Sequence, residues 1–281
     1  MTLSVLTGLK LGAIHLNAAH LDRTALFYKV KIGLKAERVG GRIHLACGRN
    51  SLVVLHPADY PNRVPWSTGL YHLALLVPDR ISLSRILVHL IRAGTIDLGT
   101  ADHGVSEALY LQDTENNGIE IYHDRPRSQW IFDARGNLQM TTDALDVENL
   151  LQAGGAEAAG WQPPGTTRMG HIHLKVANLN DAIDFYCGVL GFSVMQRMGR
   201  AAAFLSMAGY HHHIGLNTWE SLNAPGSPIG APGLRYFELH SPTPAVREHL
   251  LNRLQSAGCQ ADGTTEGVMI RDPSGNGILL V

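Results

Sequence analysis

The chain has 281 residues, 45% of them apolar and 17% charged, a length for two domains of ordinary size and a composition typical of a globular fold. A net charge of −1 gives no electrostatic basis for binding nucleic acid or an acidic membrane, and no run approaches the roughly 20 apolar residues of a membrane helix. The three cysteines, Cys47, Cys187 and Cys259, are odd in number and widely spaced, which argues against a disulfide framework or structural zinc and fits a reducing cytoplasm.

The N-terminal stretch MTLSVLTGLKLGAIHL lacks the basic n-region and small-residue cleavage site of a signal peptide. An apolar strand follows around His15 (AIHLNA). Next comes a short amphipathic helix from Leu21, which carries the pair Phe27-Tyr28 and stops at Gly33, as a helix C-terminus prefers. The runs IHLACG and SLVVLH complete a first module at 10–57. A second, at 67–123, opens with GLYHLALLVP from Gly69, continues with the helical pattern ISLSRILVHLIRAG, and closes with the strands SEALYLQD and NGIEIYHD. Residues 124–167 form a long linker in which DALDVENLLQAG is a candidate helix and GWQPPGTT a loop.

The third module, 168–219, repeats the first: HIHLKV around His171, a helix from Leu179 with Phe185-Tyr186 and a stop at Gly191, then AAAFLSM and HHHIGLN. The fourth, 232–281, repeats the second: GLRYFELHSP from Gly233, AVREHLLNRLQSAG, GVMIRD and NGILLV. The segments RDPSGNGILL and QDTENNGIEI align residue for residue. Strand, helix and three strands, four times over, predict an α/β (α+β) chain of four βαβββ modules, two in 1–123 and two in 168–281.

Alignment of the four first strands compares one position across the copies. His72, before Leu75, and His171, before Leu174, occupy it in modules two and three; Ala13 and Tyr236 occupy it in modules one and four. On the last strands, module two ends on Glu120 where module four has Leu279. Side chains alternate along a strand, so residues on a first and a last strand can point into one curved sheet. Two histidines and one carboxylate with open positions form the facial triad of non-haem Fe(II) oxygenases, and imidazole also suits Zn, Mn or Ni. His173 shares a face with His171 and is an alternative ligand. Its counterpart in module two is Ala74, which argues against it.

Repeated βαβββ modules with ligands on first and last strands resemble the vicinal oxygen chelate superfamily, which holds glyoxalases, fosfomycin-resistance enzymes, bleomycin-binding proteins and extradiol dioxygenases. The segment His103-GVSEA-Leu109-Tyr110-LQ-Asp113-TENNGI-Glu120 is similar to the extradiol signature in the spacing of His, Tyr and Glu. It departs from that signature at Thr114 and Asn116, where the family has Pro and Gly, and at Ala101. The four-module layout is most similar to the bacterial catechol 2,3-dioxygenases.

The resemblance implies two curved-sheet barrels, a metal held by His72, His171 and Glu120, and Fe(II), or alternatively Mn(II), as that metal. It implies cleavage of a catecholic substrate by O2, with His212 of the segment His211-His212-His213 as acid-base and His103 and Tyr110 hydrogen-bonding substrate. Strand alternation predicts His211 and His213 on the face opposite His212. Asp102 is a candidate for orienting His103, while Tyr28 and Tyr186 read as core. In better-known relatives the metal lies in the C-terminal pair of modules. Here module four lacks both residues, so modules two and three are expected to pair across the long linker. The other readings are a glyoxalase-like isomerase, lyase or thiol transferase working without O2, and a metal-free small-molecule binding protein. A homo-oligomer is the default assembly.

Overall fold

The computed structural model describes residues 8–154 and 161–281; the first seven residues of the N-terminal stretch and residues 155–160 of the linker lie outside it. The first quarter runs β1 (Lys10–Ala18), α1 (Leu21–Phe27), β2 (Lys35–Val39), β3 (Arg42–Cys47) and β4 (Asn50–Pro57). The second runs β5 (Gly69–Leu76), α2 (Arg80–Arg92), β6 (Gly99–Asp102), β7 (Ser106–Gln112) and β8 (Gly118–Asp124). After the linker helix α3 (Val147–Gly154) come β9 (Arg168–Lys175), α4 (Leu179–Ile183), β10 (Ser193–Met198), β11 (Ala202–Ser206) and β12 (Ile214–Asn217). The last quarter is β13 (Gly233–His240), α5 (Pro244–Ser256), β14 (Ala261–Gly263), β15 (Val268–Arg271) and β16 (Gly277–Leu280). Each quarter therefore has the strand-helix-three-strand order, and α3 falls where the linker pattern places a helix. Among the described residues, no helix is long and apolar enough to cross a membrane.

The helices start and stop on local chemistry. Asp79 caps α2 by accepting from the Ser82 N–H at 2.7 Å, and Thr243 caps α5, which has proline in its first turn. Leu83, Ile86, Leu87 and Leu90 form the buried stripe of α2. The first and third quarters share a feature absent from the periodicity: α1 continues as a π-helical turn over Tyr28–Ile32, and α4 over Asp184–Val189. The first of these ends at Gly33, whose φ of 86° is left-handed and favours glycine.

Both turns contain the tyrosine of an aromatic pair and bury it. The Tyr28 hydroxyl donates to Asp113 Oδ2 at 3.1 Å, and the Tyr186 hydroxyl to Asp272 Oδ2 at the same distance. The other oxygen of each aspartate accepts two backbone N–H groups, from Glu115 and Asn117 in one loop and from Ser274 and Asn276 in the other. These are the two loops whose sequences align. Burial pushes both aspartate carboxyls up, against the opposing effect of these hydrogen bonds, and burial beside an aspartate pushes both tyrosines well up.

The strands form two eight-stranded sheets. One has the order β14-β15-β16-β13-β1-β4-β3-β2 and joins quarters one and four; the other has the order β10-β11-β12-β9-β5-β8-β7-β6 and joins quarters two and three. In the second sheet β5 and β8 are parallel, as are β9 and β12. Packing divides the chain into two compact units, Met1–Asn17 with Ala58–Tyr71 and His171–Val281, and Ala18–Pro57 with His72–Gly170. Three of the four dividing points fall inside the strands β1, β5 and β9, and the fourth follows Pro57 at the end of β4.

Within the second unit a buried charge cluster ties α2 to β7 and β8. The Glu107 carboxylate accepts from Arg80 Nε at 2.6 Å, from Arg125 Nη2 at 3.1 Å and from His123 Nε2 at 3.1 Å, and Arg125 also holds Asp102 at 2.6 Å. Burial pushes the Glu107 carboxyl up; the hydrogen bonds from His123 and Arg80, with the two guanidinium charges, outweigh it and hold the group at about 2. Because the folded value lies below the ordinary 4.5, the stabilisation is complete above that pH and is lost as pH falls towards 2.

Glu107→Gln is expected to lower stability at neutral pH by about 1–2 kcal/mol and to flatten the acid limb between pH 4.5 and 2, read by urea denaturation across pH. Tyr186→Phe leaves Asp272 short of one donor and is expected to cost about 1–3 kcal/mol in the same assay.

Candidate metal centre

His72 lies on β5, Glu120 on β8 and His171 on β9, three neighbouring strands in the order β9-β5-β8. Adjacent strands lie about 4.8 Å apart, so same-face positions on three of them can bring three side chains together. The register sets His72 opposite Gly118 and Ala74 opposite Glu120, a two-residue offset that leaves the two ligand positions on the same face. All three side chains are buried, with relative exposures of 7% for His72, 2% for Glu120 and 1% for His171. His72 Nε2 lies 3.0 Å from Glu120 Oε2, and one ligand atom from each residue lies within 4.8 Å of the other two.

The donor set fits a divalent cation. Two atoms each at about 2.0–2.2 Å from one metal are at most about 4.4 Å apart, so the observed cluster needs shifts of a few tenths of an ångström at most. A carboxylate and two imidazoles removed from water are costly to hold together unless they share a cation or a proton. Imidazole with carboxylate suits Fe, Mn, Zn or Ni. Among the described residues, the cluster has these three members and no fourth His, Cys, Asp or Glu.

The histidine run does not follow strand alternation. His211, His212 and His213 precede β12 and lie in a bend, so the expected opposition of faces does not hold. His212 packs its ring on His171, with centroids 4.0 Å apart, and His211 lies fully buried with its centroid 6.3 Å from His171. The Nδ1 atoms of His211 and His212 are 2.8 Å apart, one donating and the other accepting. His213 turns to Ser206, with Nδ1 3.1 Å from its hydroxyl. His173 is outside the cluster: Nε2 meets Asn217 Nδ2 at 3.1 Å, and the ring packs against Tyr71 and Trp219. Gly215 makes this possible, since a Cβ there would lie 2.7 Å from the His173 ring.

On the other flank, Tyr110 of β7 pairs in register with Glu120, and its ring lies 5.8 Å from that of His72. Its hydroxyl is 2.7 Å from His103 Nε2. Asp102 does not orient His103. It binds Arg125 and caps the Gly104 N–H, while His103 Nδ1 meets the Thr141 carbonyl of the linker at 2.7 Å. A backbone carbonyl leaves no trace in residue type, so the sequence held no signal for Thr141.

The corresponding place in the other sheet is filled differently. Tyr236 stacks on His15 with centroids 4.2 Å apart, and Leu279 is buried in the core. Two residues further along β13, Glu238 accepts from the Ala13 N–H at 3.0 Å and lies 2.9 Å from His15 Nε2 and 2.8 Å from His240 Nε2. Burial pushes this carboxyl up, but the bonds from His15, His240 and Ala13 bring it to about 2.

Several comparisons place the chain among known proteins. A model of the Glyoxalase/Bleomycin resistance protein/Dioxygenase superfamily matches residues 168–280. The chain is 41% identical over 268 residues to a catechol-2,3-dioxygenase of Bacillus subtilis (strain 168), covering 94% of this chain and 93% of that one. Among solved structures it is similar to glyoxalase I from Zea mays, with a TM-score of 0.58, 15% identity and coverage of 98% and 94%. It is also similar to the cppA protein of Streptococcus pneumoniae TIGR4, with a TM-score of 0.54, 12% identity and coverage of 96% and 99%; at these identities the likeness concerns the fold alone. With a relative this close along nearly the whole chain, and with the module order and paired sheets described above, the protein belongs to the glyoxalase/bleomycin resistance/dioxygenase superfamily.

Proposed function

We propose that this protein is an extradiol dioxygenase that inserts both atoms of O2 into catechol or a substituted catechol, giving a ring-opened 2-hydroxymuconate semialdehyde. The observation that carries this reading is the convergence of His72, Glu120 and His171 on one buried point, in a chain 41% identical to a protein named catechol-2,3-dioxygenase. His72, Glu120 and His171 would hold the metal, with Fe(II) as the expected ion and Mn(II) as the alternative. When bound, such an ion acidifies a coordinated hydroxyl and carries electron density between an aromatic diol and O2.

The remaining work falls to side chains around it. His212, against His171 and 9% exposed, holds or delivers a proton at its imidazole. His211 packs beside that ring and takes one of its nitrogens in a hydrogen bond. Phe204 packs edge-on against the His212 ring, 5.0 Å centre to centre. Tyr110 and His103 offer a hydrogen-bonding pair on the opposite flank. Ring cleavage balances without another reductant, because both oxygen atoms and all four electrons end in the product.

Anaerobic loading with Fe(II) is expected to give about one metal per chain, and catechol with O2 should then yield a yellow product with equimolar oxygen consumption. His171→Ala is expected to abolish both metal retention and oxygen uptake. A loaded protein that consumes no oxygen with any catechol would reject the reading and favour a glyoxalase-like isomerase; a protein that retains no metal would favour a binding role. His212→Asn is expected to keep the metal and lower kcat by about 10²–10⁴, measured by oxygen electrode.

A further inference from the structure

We propose that the linker's Thr141 carbonyl fixes His103 as its Nδ1–H tautomer, and so makes Tyr110 a donor to His103 and an acceptor towards any further partner. His103 has hydrogen-bond partners at both ring nitrogens: the Thr141 carbonyl at Nδ1 and the Tyr110 hydroxyl at Nε2, each at 2.7 Å. The two are not equivalent. A carbonyl oxygen only accepts, so Nδ1 must carry the proton. A neutral imidazole has one N–H, so Nε2 is left with its lone pair. The Tyr110 hydroxyl, which can turn either way, must then donate to it. The phenolic oxygen meets any further partner as an acceptor.

The carbonyl is held in place by a short ladder. Asp102 and Asp143 exchange backbone hydrogen bonds at 3.0 and 2.9 Å, and the Thr141 N–H donates to the His103 carbonyl at 3.1 Å. Gly104, with φ of 72°, makes the tight turn that follows His103, and its N–H is capped by Asp102. Beyond the ladder the linker is anchored by buried Trp130, Leu138 and Leu145, and Trp130 Nε1 donates to the Arg125 carbonyl at 3.0 Å. The linker is thus a packed element that sets the direction of a hydrogen bond next to β7 and β8. Thr141 is a positioning residue through its backbone. In the dioxygenase reading, on which the functional meaning rests, the device selects a substrate that presents a hydroxyl hydrogen to Tyr110.

The test uses the full, metal-free chain labelled with 15N, at about pH 8, above the ordinary histidine range near 6.5. Long-range proton–nitrogen correlations, with His103 assigned by its loss in His103→Gln, report which ring nitrogen is protonated. The expected pattern is a protonated Nδ1 and a bare Nε2. Tyr110→Phe removes the partner at Nε2 but leaves the carbonyl, so the same tautomer should persist. An Nε2–H tautomer or an averaged pair of signals in the wild type overturns the proposal, and reversion to Nε2–H in Tyr110→Phe overturns the role of the linker. Neither metal nor catechol enters the measurement, so its outcome is separable from that of the oxygen-uptake assay.

Discussion

The candidate centre depends on strand order in one sheet. His171 of β9, His72 of β5 and Glu120 of β8 come from three strands that are neighbours in that order, although β5 and β9 lie nearly a hundred residues apart along the chain. Were either strand to slip by one residue, its ligand would turn to the opposite face. Gly170 of β9 passes close to β8: a Cβ there would clash with the Tyr122 hydroxyl, so a larger residue does not fit at this point of β9. The centre is therefore a property of sheet order before it is a property of three side chains.

Sheet order has a second consequence. With modules two and three in one sheet, modules one and four must complete the other, and they do so without the ligand set. Tyr236 and Leu279 stand at two of the three corresponding positions, and Glu238 sits further along the strand among His15, His240 and the Ala13 amide. That second polar cluster satisfies its carboxylate by hydrogen bonds from protein groups, whereas His72, Glu120 and His171 present their ligand atoms to a common point. The same device recurs twice in the chain, a buried tyrosine hydroxyl on an aspartate that also ties down its own loop. Copies that diverged at the ligand positions kept the same loop support.

Much of this was legible in the residues, because the signals were periodic. Leu75 and Leu174 set the frame in which His72 and His171 fall at one position, and the alignment of QDTENNGIEI with RDPSGNGILL marks two loops that the structure shows doing the same work. Comparison of the copies also separated His171 from His173, which turns to Asn217 and two aromatic rings. What escaped lacked periodicity. The π-helical turns after Phe27 and Ile183 leave residue types unchanged. His211 to His213 carry a polar run into what would be a strand, yet the strand begins only at Ile214. Asp102 had a guanidinium within reach that no local pattern shows, and the partner of His103 is a main-chain carbonyl 38 residues away.

The central claim is that His72, Glu120 and His171 bind one catalytic metal. The most direct measurement is a crystal structure of the Fe(II)-loaded protein with anomalous scattering recorded on both sides of the iron edge. The account expects a single iron peak about 2.0–2.2 Å from these three residues, with none at His15, Glu238 and His240. Iron bound elsewhere, or a loaded protein with no anomalous peak between β9, β5 and β8, would contradict it.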